Sequence, residues 1–541
     1  MHKVLLLLFL GIYALAVSAV PAKRERFTLT LADGSTIEAT WMGDEILHFY
    51  LTDEGKYLQC DDEGIAHFIE PDILQKRWEA KANKRQAARA KRNAARKRKS
   101  QGAMIGTKRG LVILVQFPET PFHYTNATFQ DFFNEEGYTD DINIGSVRDY
   151  FRDASYGQFD FTFDIVGPIT MSQSLSYYGG NNSNGDDVYP ATMVAEAVRM
   201  IDEEVDFSQY DWDGDGEVEQ IFVIHSGHDE AQSGTNADIW SHAWTLSEAL
   251  EEGDGKGPVK VDEVIIDSYA TSAELRDRNG TKIAGIGTAC HEFSHCFGLP
   301  DFYDTAGGNF GMNSWDLMDY GNYNGNGGTP AGFTSYERMF CGWLEPIELK
   351  EADIIQDMPA LTSMPVAYIL RNSGKEDEYY LLENRQQEGW DKRLSGHGLL
   401  ILHVDYDRQA WEENTVNTKS QHQRMTIIPA DNSPYRFSLA GDPWPGSSGK
   451  TELSDTSTPA ATLYNESAEG GKFMHHALTE ISESDKGLIS FIFDEEALGV
   501  GTIQDLRFKP QNEVYDLSGR KWTEASRGIA IKEGKKIMTT R

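Results

Sequence analysis

Two histidines four residues apart, then a glycine, then an aspartate, constrain this chain more than any other feature. The stretch reads His291-Glu292-Phe293-Ser294-His295-Cys296-Phe297-Gly298-Leu299-Pro300-Asp301. Spacing of four places both imidazoles on one helix face, about one turn apart, so a helix here lets both reach a single ion. Glu292 then stands where it can hold a water on the open side of that ion. Gly298 permits a left-handed stop, after which the chain can double back. Asp301 returns as the candidate third ligand. This donor set suits a mononuclear zinc site with its general base built in. The bland reading is an amphipathic helix with two satisfied histidines. The glycine and the aspartate at these offsets argue against it.

A second cluster is Trp315-Asp316-Leu317-Met318-Asp319-Tyr320-Gly321. The helix motif plus a downstream methionine turn resembles the metzincin class of zinc endopeptidases. That resemblance implies that Met318 sits in a tight turn beneath the zinc. It also implies that Tyr320 can contact the metal or the oxyanion; a packed tyrosine is the plain alternative. An aspartate third ligand followed by Phe302-Tyr303-Asp304 resembles the immune inhibitor A family, secreted bacterial metalloproteases of the sixth metallopeptidase family. Further agreement lies in Ser146-Val147-Arg148-Asp149-Tyr150-Phe151, Tyr177-Tyr178-Gly179, Ile239-Trp240-Ser241-His242 and Tyr380-Leu381-Leu382-Glu383-Asn384-Arg385. The resemblance implies a zinc endopeptidase made as a zymogen. His291, His295 and Asp301 would hold the ion, and Glu292 would move the proton during peptide hydrolysis. Two other readings stay open. One is a non-catalytic surface adhesin on a protease scaffold. The other is a zinc hydrolase acting on a non-peptide amide.

With 541 residues the chain has room for several domains. Met1-His2-Lys3, an apolar run from Val4 to Val17, and then Ser18-Ala19 predict a signal peptide over 1–19. The run is short for a membrane span, and export to the medium or cell surface follows. Residues 20–74 predict a small β-rich propeptide. Phe27–Leu31 alternates, and Ala32-Asp33-Gly34 is a turn. Cys60 in this segment could ligate the zinc to keep the enzyme latent, although a lone cysteine is more often a packed residue.

The formal net charge is −35, yet twelve Lys or Arg fall between Lys76 and Lys99. That run predicts a solvated helix or basic arm. Its position favours a processing linker, 75–103, over nucleic-acid binding. Arg96–Lys99 and Lys108-Arg109 are expected as exposed targets of an activating trypsin-like protease. A basic arm could also hold the acidic enzyme domain. Four cysteines do not make a disulfide scaffold.

The metzincin-like α/β domain is expected over 104–345, with buried strands at Gly110–Val115 and Ile221–Ile224 and a helix over 189–203. Asp211, Asp213 and Asp215, with Gly216 and Glu219, resemble a calcium loop; an Asx-rich turn is the alternative. His225, His228 and His242 could meet substrate, though buried, hydrogen-bonded histidines are the commoner outcome. Asn322 to Gly328 is expected to form a mobile rim of the cleft. Short strands separated by turns predict an antiparallel β-sandwich over 346–497. Residues 498–541 resemble the C-terminal β tails of exported Bacteroidota proteins, which implies sorting to the cell surface. Protein or peptide substrates are the expected partners, with no nucleic acid and no stable membrane span.

Overall fold

The computed structural model describes residues 18–61, 64–95, 104–182 and 185–494, together with short strands at Tyr515–Asp516, Gly528–Lys532 and Lys535–Thr539. Residues 1–17, with most of the expected signal peptide, residues 96–103, with the basic stretch Arg96–Lys99, and most of the expected tail 498–541 lie outside the described residues.

A six-stranded mixed sheet organises the centre. Its order is Ser18–Ala19, His242–Thr245, Ser268–Leu275, Ile221–His228, Gly106–Gln116 and Phe159–Thr170. The last four strands run parallel to one another, and His242–Thr245 is antiparallel to Ser268–Leu275. Alternation along the strands feeds two cores. Val112, Leu114, Phe222 and Ile224 face Phe129, Phe133, Phe151 and Phe293. Leu111, Ile113, Val115, Ile221 and Val223 face Val194 and Val198 of the helix Pro190–Ile201. Helices thus cover both faces of a largely parallel sheet, the usual mixed α/β solution. The helix Val147–Ala154 opens with a capping box between Ser146 and Asp149, which satisfies two of its first-turn N–H groups.

One expectation fails at the start of this sheet. Lys108 and Arg109 do not form an open cleavage target, although the Arg109 side chain is exposed. They pair with Phe161 and Thr162 inside the strand Gly106–Gln116. Lys108 Nζ donates to the Trp212 carbonyl at 3.1 Å, and Arg109 pairs with Asp164 at 2.6 Å. A protease needs an extended, unpaired backbone, so this dibasic pair is protected.

Residues 26–69 form a closed five-stranded barrel: Arg26–Leu31, Thr36–Gly43, His48–Leu51, Tyr57–Cys60 and Ile65–Ile69. The basic run continues from it as the helix Pro71–Ala95. Leu74 and Trp78 pack on the barrel. Lys81 pairs with Asp186, and Arg85 lies 2.8 Å from Glu45 and 3.5 Å from Glu252. The barrel also stacks on the central domain, where the Trp240 ring meets His48 at 5.1 Å and Trp41 at 5.9 Å.

Downstream, a five-stranded sheet runs in the order Ile347–Glu348, Tyr368–Asn372, Lys375–Arg385, Gly398–Asp405 and Met425–Ile427. It is antiparallel except at its first pair. One face packs on a three-stranded sheet (Asp353–Met358, Ile489–Phe493, Leu478–Glu483) through Tyr380, Leu382, Leu399 and Ile401. The other face, with Leu381, Leu400, Leu402 and Val404, belongs to the same core as the central domain. Arg385, fully buried, ties the two parts. It pairs with Glu383 at 2.9 Å and Asp391 at 2.6 Å and donates to the carbonyls of Trp315 and Gly332. Among the described residues no helix is long and apolar enough to cross a membrane.

Glu378, with no exposed surface, accepts from His403 Nε2, Asn372 Nδ2 and the Tyr464 and Asn465 N–H groups. Burial would raise its carboxyl. These donors, His403 foremost, bring it instead to about 2, from an ordinary 4.5. A carboxyl lowered on folding stabilises above its unfolded value and loses that contribution as pH falls toward the folded one. The difference corresponds to about 3 kcal/mol. Glu378→Gln is therefore expected to destabilise by up to about that amount at pH 7. The gap to wild type should close between pH 4.5 and 2. Calorimetric melts across that range measure it, and a pH-independent gap would contradict it.

Candidate metal centre and cleft

The helix Ile286–Ser294 carries the first histidine. Its start is wedged against the loop after the methionine turn. A Cβ on Gly287 would fall 2.0 Å from the Asn322 carbonyl. The segment Asn322–Gly328, expected as a mobile rim, instead packs in part against this helix. Asn322 is fully buried, and Tyr320–Gly327 consists of 3-10 turns on either side of a kink at Asn324–Asn326. His295 opens a short 3-10 turn, which Gly298 ends at φ +93. This left-handed residue turns the chain so that Asp301 comes back to the histidines.

The three expected ligands converge. His291 Nε2 and His295 Nε2 lie 3.1 and 3.6 Å from Asp301 Oδ1, and one donor atom from each residue falls within a 4.8 Å cluster. All three are buried. Each imidazole is oriented by its other nitrogen. Nδ1 of His291 donates to the Leu317 carbonyl and Nδ1 of His295 to the Leu299 carbonyl, both at 2.8 Å. That fixes the tautomer and turns both Nε2 atoms, which make no well-directed hydrogen bond, toward the centre. Two imidazole nitrogens and one carboxylate oxygen fit a zinc ion with a fourth position open.

Met318 is fully buried in the turn beneath this cluster, and the preceding carbonyl is the one that holds His291. The Met318 carbonyl accepts the Phe302 N–H at 2.8 Å, which ties the turn to the ligand loop. Burial holds His295 down, at about 4, so the ring is neutral and ready to ligate. Burial would raise Asp301, but His295, His291 and Asn414 bring its carboxyl below the ordinary value. Glu292 is raised well above it, first by burial and then by Asp301.

Glu292 Oε1 accepts a hydrogen bond of 3.1 Å from the backbone N–H of Val20. The N-terminal segment lies in the cleft. Ser18 and Ala19 pair antiparallel with Ala243 and His242 on the edge of the central sheet. The Ala19 carbonyl accepts from Tyr303 Oη at 2.7 Å, that of Val20 from Trp240 Nε1 at 3.0 Å, and that of Pro21 from Tyr323 Oη at 2.8 Å. Ala19, Val20 and Ala22 are wholly buried. Lys23 pairs with Asp277 at 2.7 Å, and the Arg24 guanidinium covers the Tyr320 ring at 3.5 Å. Sequence reasoning missed this occupant. Its only signal is a short run of small apolar residues, Ala-Val-Pro-Ala, before the first charges. Cys60 is instead a barrel-wall residue and is not among the side chains at the metal cluster.

Asp211, Asp213 and Asp215 also gather within a 4.8 Å cluster. Asp211 already accepts from the N–H groups of Gly214, Asp215 and Gly216, an Asx-type turn. Glu219 does not join them. Its Oε2 accepts the Trp212 N–H at 2.7 Å, and burial raises it to about 8. His225, His228 and His242 bond the carbonyls of Ser226, Asp277 and Trp240. His242 also lies 3.0 Å from Tyr269 Oη. Of the three, only His242 adjoins the N-terminal segment as a strand partner.

Residues 107–343 match the model of the immune inhibitor A peptidase M6 catalytic domain. That segment carries a domain similar to the immune inhibitor A, or M6, peptidases. It is 26% identical over 283 residues to the pre-pro-metalloprotease PrtV of Vibrio cholerae serotype O1, covering 44% of this chain and 30% of that protein. It is 26% identical over 290 residues to Immune inhibitor A of Bacillus thuringiensis subsp. alesti, covering 45% of this chain and 41% of that protein. The match thus spans less than half the length of these relatives. A metallopeptidase domain implies a metal, and His291, His295 and Asp301 form a group within the matched segment that could hold one.

Proposed function

We propose that the chain is a secreted zinc endopeptidase made as a zymogen, with Glu292 as general base and residues 20–74 as an inhibitory propeptide. The observation that carries this reading is the segment Val20–Arg24 in the cleft, where the Val20 N–H meets Glu292 and the Val20 and Pro21 carbonyls accept from Trp240 and Tyr323. A polypeptide backbone thus fits the cleft by hydrogen bonding. The linker 75–103, the catalytic domain 104–345, the β-sandwich 346–497 and the tail 498–541 complete the organisation we propose.

When bound by His291, His295 and Asp301, zinc would acidify a water and polarise the scissile carbonyl. Glu292 takes the proton of that water and passes it to the leaving nitrogen. The Val20 nitrogen, 3.1 Å from Oε1, marks where that nitrogen can sit. The neighbouring Oε2, 4.0 Å from His295 Nε2, faces the ligands. Tyr320 becomes available to an oxyanion only once Arg24 leaves its ring. Calcium belongs to the same proposal, at Asp211, Asp213 and Asp215.

The test is metal removal. Processed chain should cleave casein, stop with a chelator and recover with zinc. Metal analysis after equilibration with both cations should read one zinc and one calcium per chain. Zinc alone would remove the calcium loop, and casein cleavage indifferent to chelation would remove the zinc mechanism.

A further inference from the structure

Asp301 stands on a loop, and a loop backbone alone does not fix the rotamer of an aspartate. The hold comes from 113 residues away. Asn414 Nδ2 donates to Asp301 Oδ2 at 2.6 Å, and Asn414 Oδ1 accepts the Asp301 backbone N–H at 2.8 Å. One amide thus grips both the carboxylate and the main chain of the same residue. With Oδ2 engaged, Oδ1 is the oxygen turned to His291 and His295.

The gripping residue is itself fixed. Asn414 is 5% exposed and follows the helix Arg408–Glu412 at φ +54, a left-handed position that asparagine tolerates. Its carbonyl accepts from Thr305 Oγ1 at 3.2 Å. Three residues on, Asn417 Nδ2 donates to the Phe302 carbonyl at 2.7 Å, and its own carbonyl accepts from Asn309. The stretch 414–417 is a strap across the ligand loop. It lies outside the segment 107–343 that carries the family's catalytic domain.

We propose that Asn414 is a positioning residue for the metal ligand Asp301, supplied to the catalytic centre by the downstream β unit. The proposal rests on the zinc-site reading above. A carboxylate that ligates through one oxygen stays oriented when the other is hydrogen-bonded, and loss of such an outer-shell partner commonly weakens metal affinity about 10–100-fold. Aspartate at 414 would offer no donor and would set a like charge against Oδ2. Glycine would keep the left-handed backbone and remove the amide.

Zinc affinity of the full chain, measured by chelator competition, tests this without reference to activity. Asn414→Gly should weaken zinc binding about 10–100-fold, and Asn414→Asp by more, with the melting temperature of the zinc-free chain unchanged. His295→Ala serves as the reference and should lose the ion. Wild-type affinity in Asn414→Gly, with zinc lost in His295→Ala, would overturn the positioning role and leave the zinc site standing. A wild-type chain that takes up no zinc would overturn both. Should Asn414→Gly melt early without metal, Asn414→Asp decides by the same competition, since aspartate also tolerates the left-handed region.

Discussion

Glu292→Gln is expected to keep its zinc and lose peptide hydrolysis. The substitution is nearly isosteric and falls on a side chain with no exposed surface. The three ligands are other residues, so the metal remains. What disappears is the group that accepts a proton and returns it to the leaving nitrogen. General acid–base catalysis of this kind contributes about 10²–10⁴-fold, or about 3–5 kcal/mol of barrier. Stability should hold or rise, because a buried carboxylate beside Asp301 is replaced by a neutral amide. The measurement is kcat/KM of processed variant on a quenched peptide, alongside zinc content and melting temperature. Turnover within tenfold of wild type, with zinc retained, would sink Glu292 as the base.

The second large effect concerns activation. Intact zymogen, with Val20–Arg24 in the cleft, should be at least about 100-fold less active than processed chain, equivalent to about 2.7 kcal/mol of occupancy. The cut should fall in Arg96–Lys99 and spare Lys108-Arg109, whose backbone is paired to Phe161 and Thr162. A single cut does not empty the cleft. The barrel remains stacked on Trp240 and its helix remains ion-paired through Lys81 and Arg85. The cut converts a tethered inhibitor into a dissociable one, which loses the high effective concentration of a linked segment. Nicked enzyme should therefore gain specific activity on dilution, or after the barrel is digested. Mapping the new N-terminus by mass spectrometry and assaying across a dilution series would measure both. Full activity in the uncut chain would contradict the zymogen.

Local periodicity made the helix of the two histidines, the Gly298 stop and the buried strands at 110–115 and 221–224 legible. Each is set by neighbours within a few residues. Where pairing reaches past the apolar run, the signal fails. Lys108 and Arg109 read as an exposed cleavage target because their charges mask a strand whose extent is set by Phe159–Thr170. The basic run showed its helical composition but not its docking, which depends on Glu45, Asp186 and Glu252 far along the chain. The donor triad was visible from spacing. The hold on it was not, since Leu317 and Leu299 act through carbonyls and Asn414 acts from 113 residues away. The three aspartates of the calcium-type spacing do gather, while a Glu219 oxygen serves the Trp212 N–H, a backbone partner that side-chain spacing does not reveal.

The sheet Lys375–Arg385 and Gly398–Asp405, covered on both faces, has a consequence for how this chain can be cut. The homologous segment ends at 343, yet Leu381, Leu400, Leu402 and Val404 share its core and Arg385 reaches back to Trp315. A fragment trimmed to 107–343 would lay bare an apolar face and lose the grip on Asp301, and should come out of solution as aggregate. The boundary drawn by homology is not a seam along which the molecule comes apart.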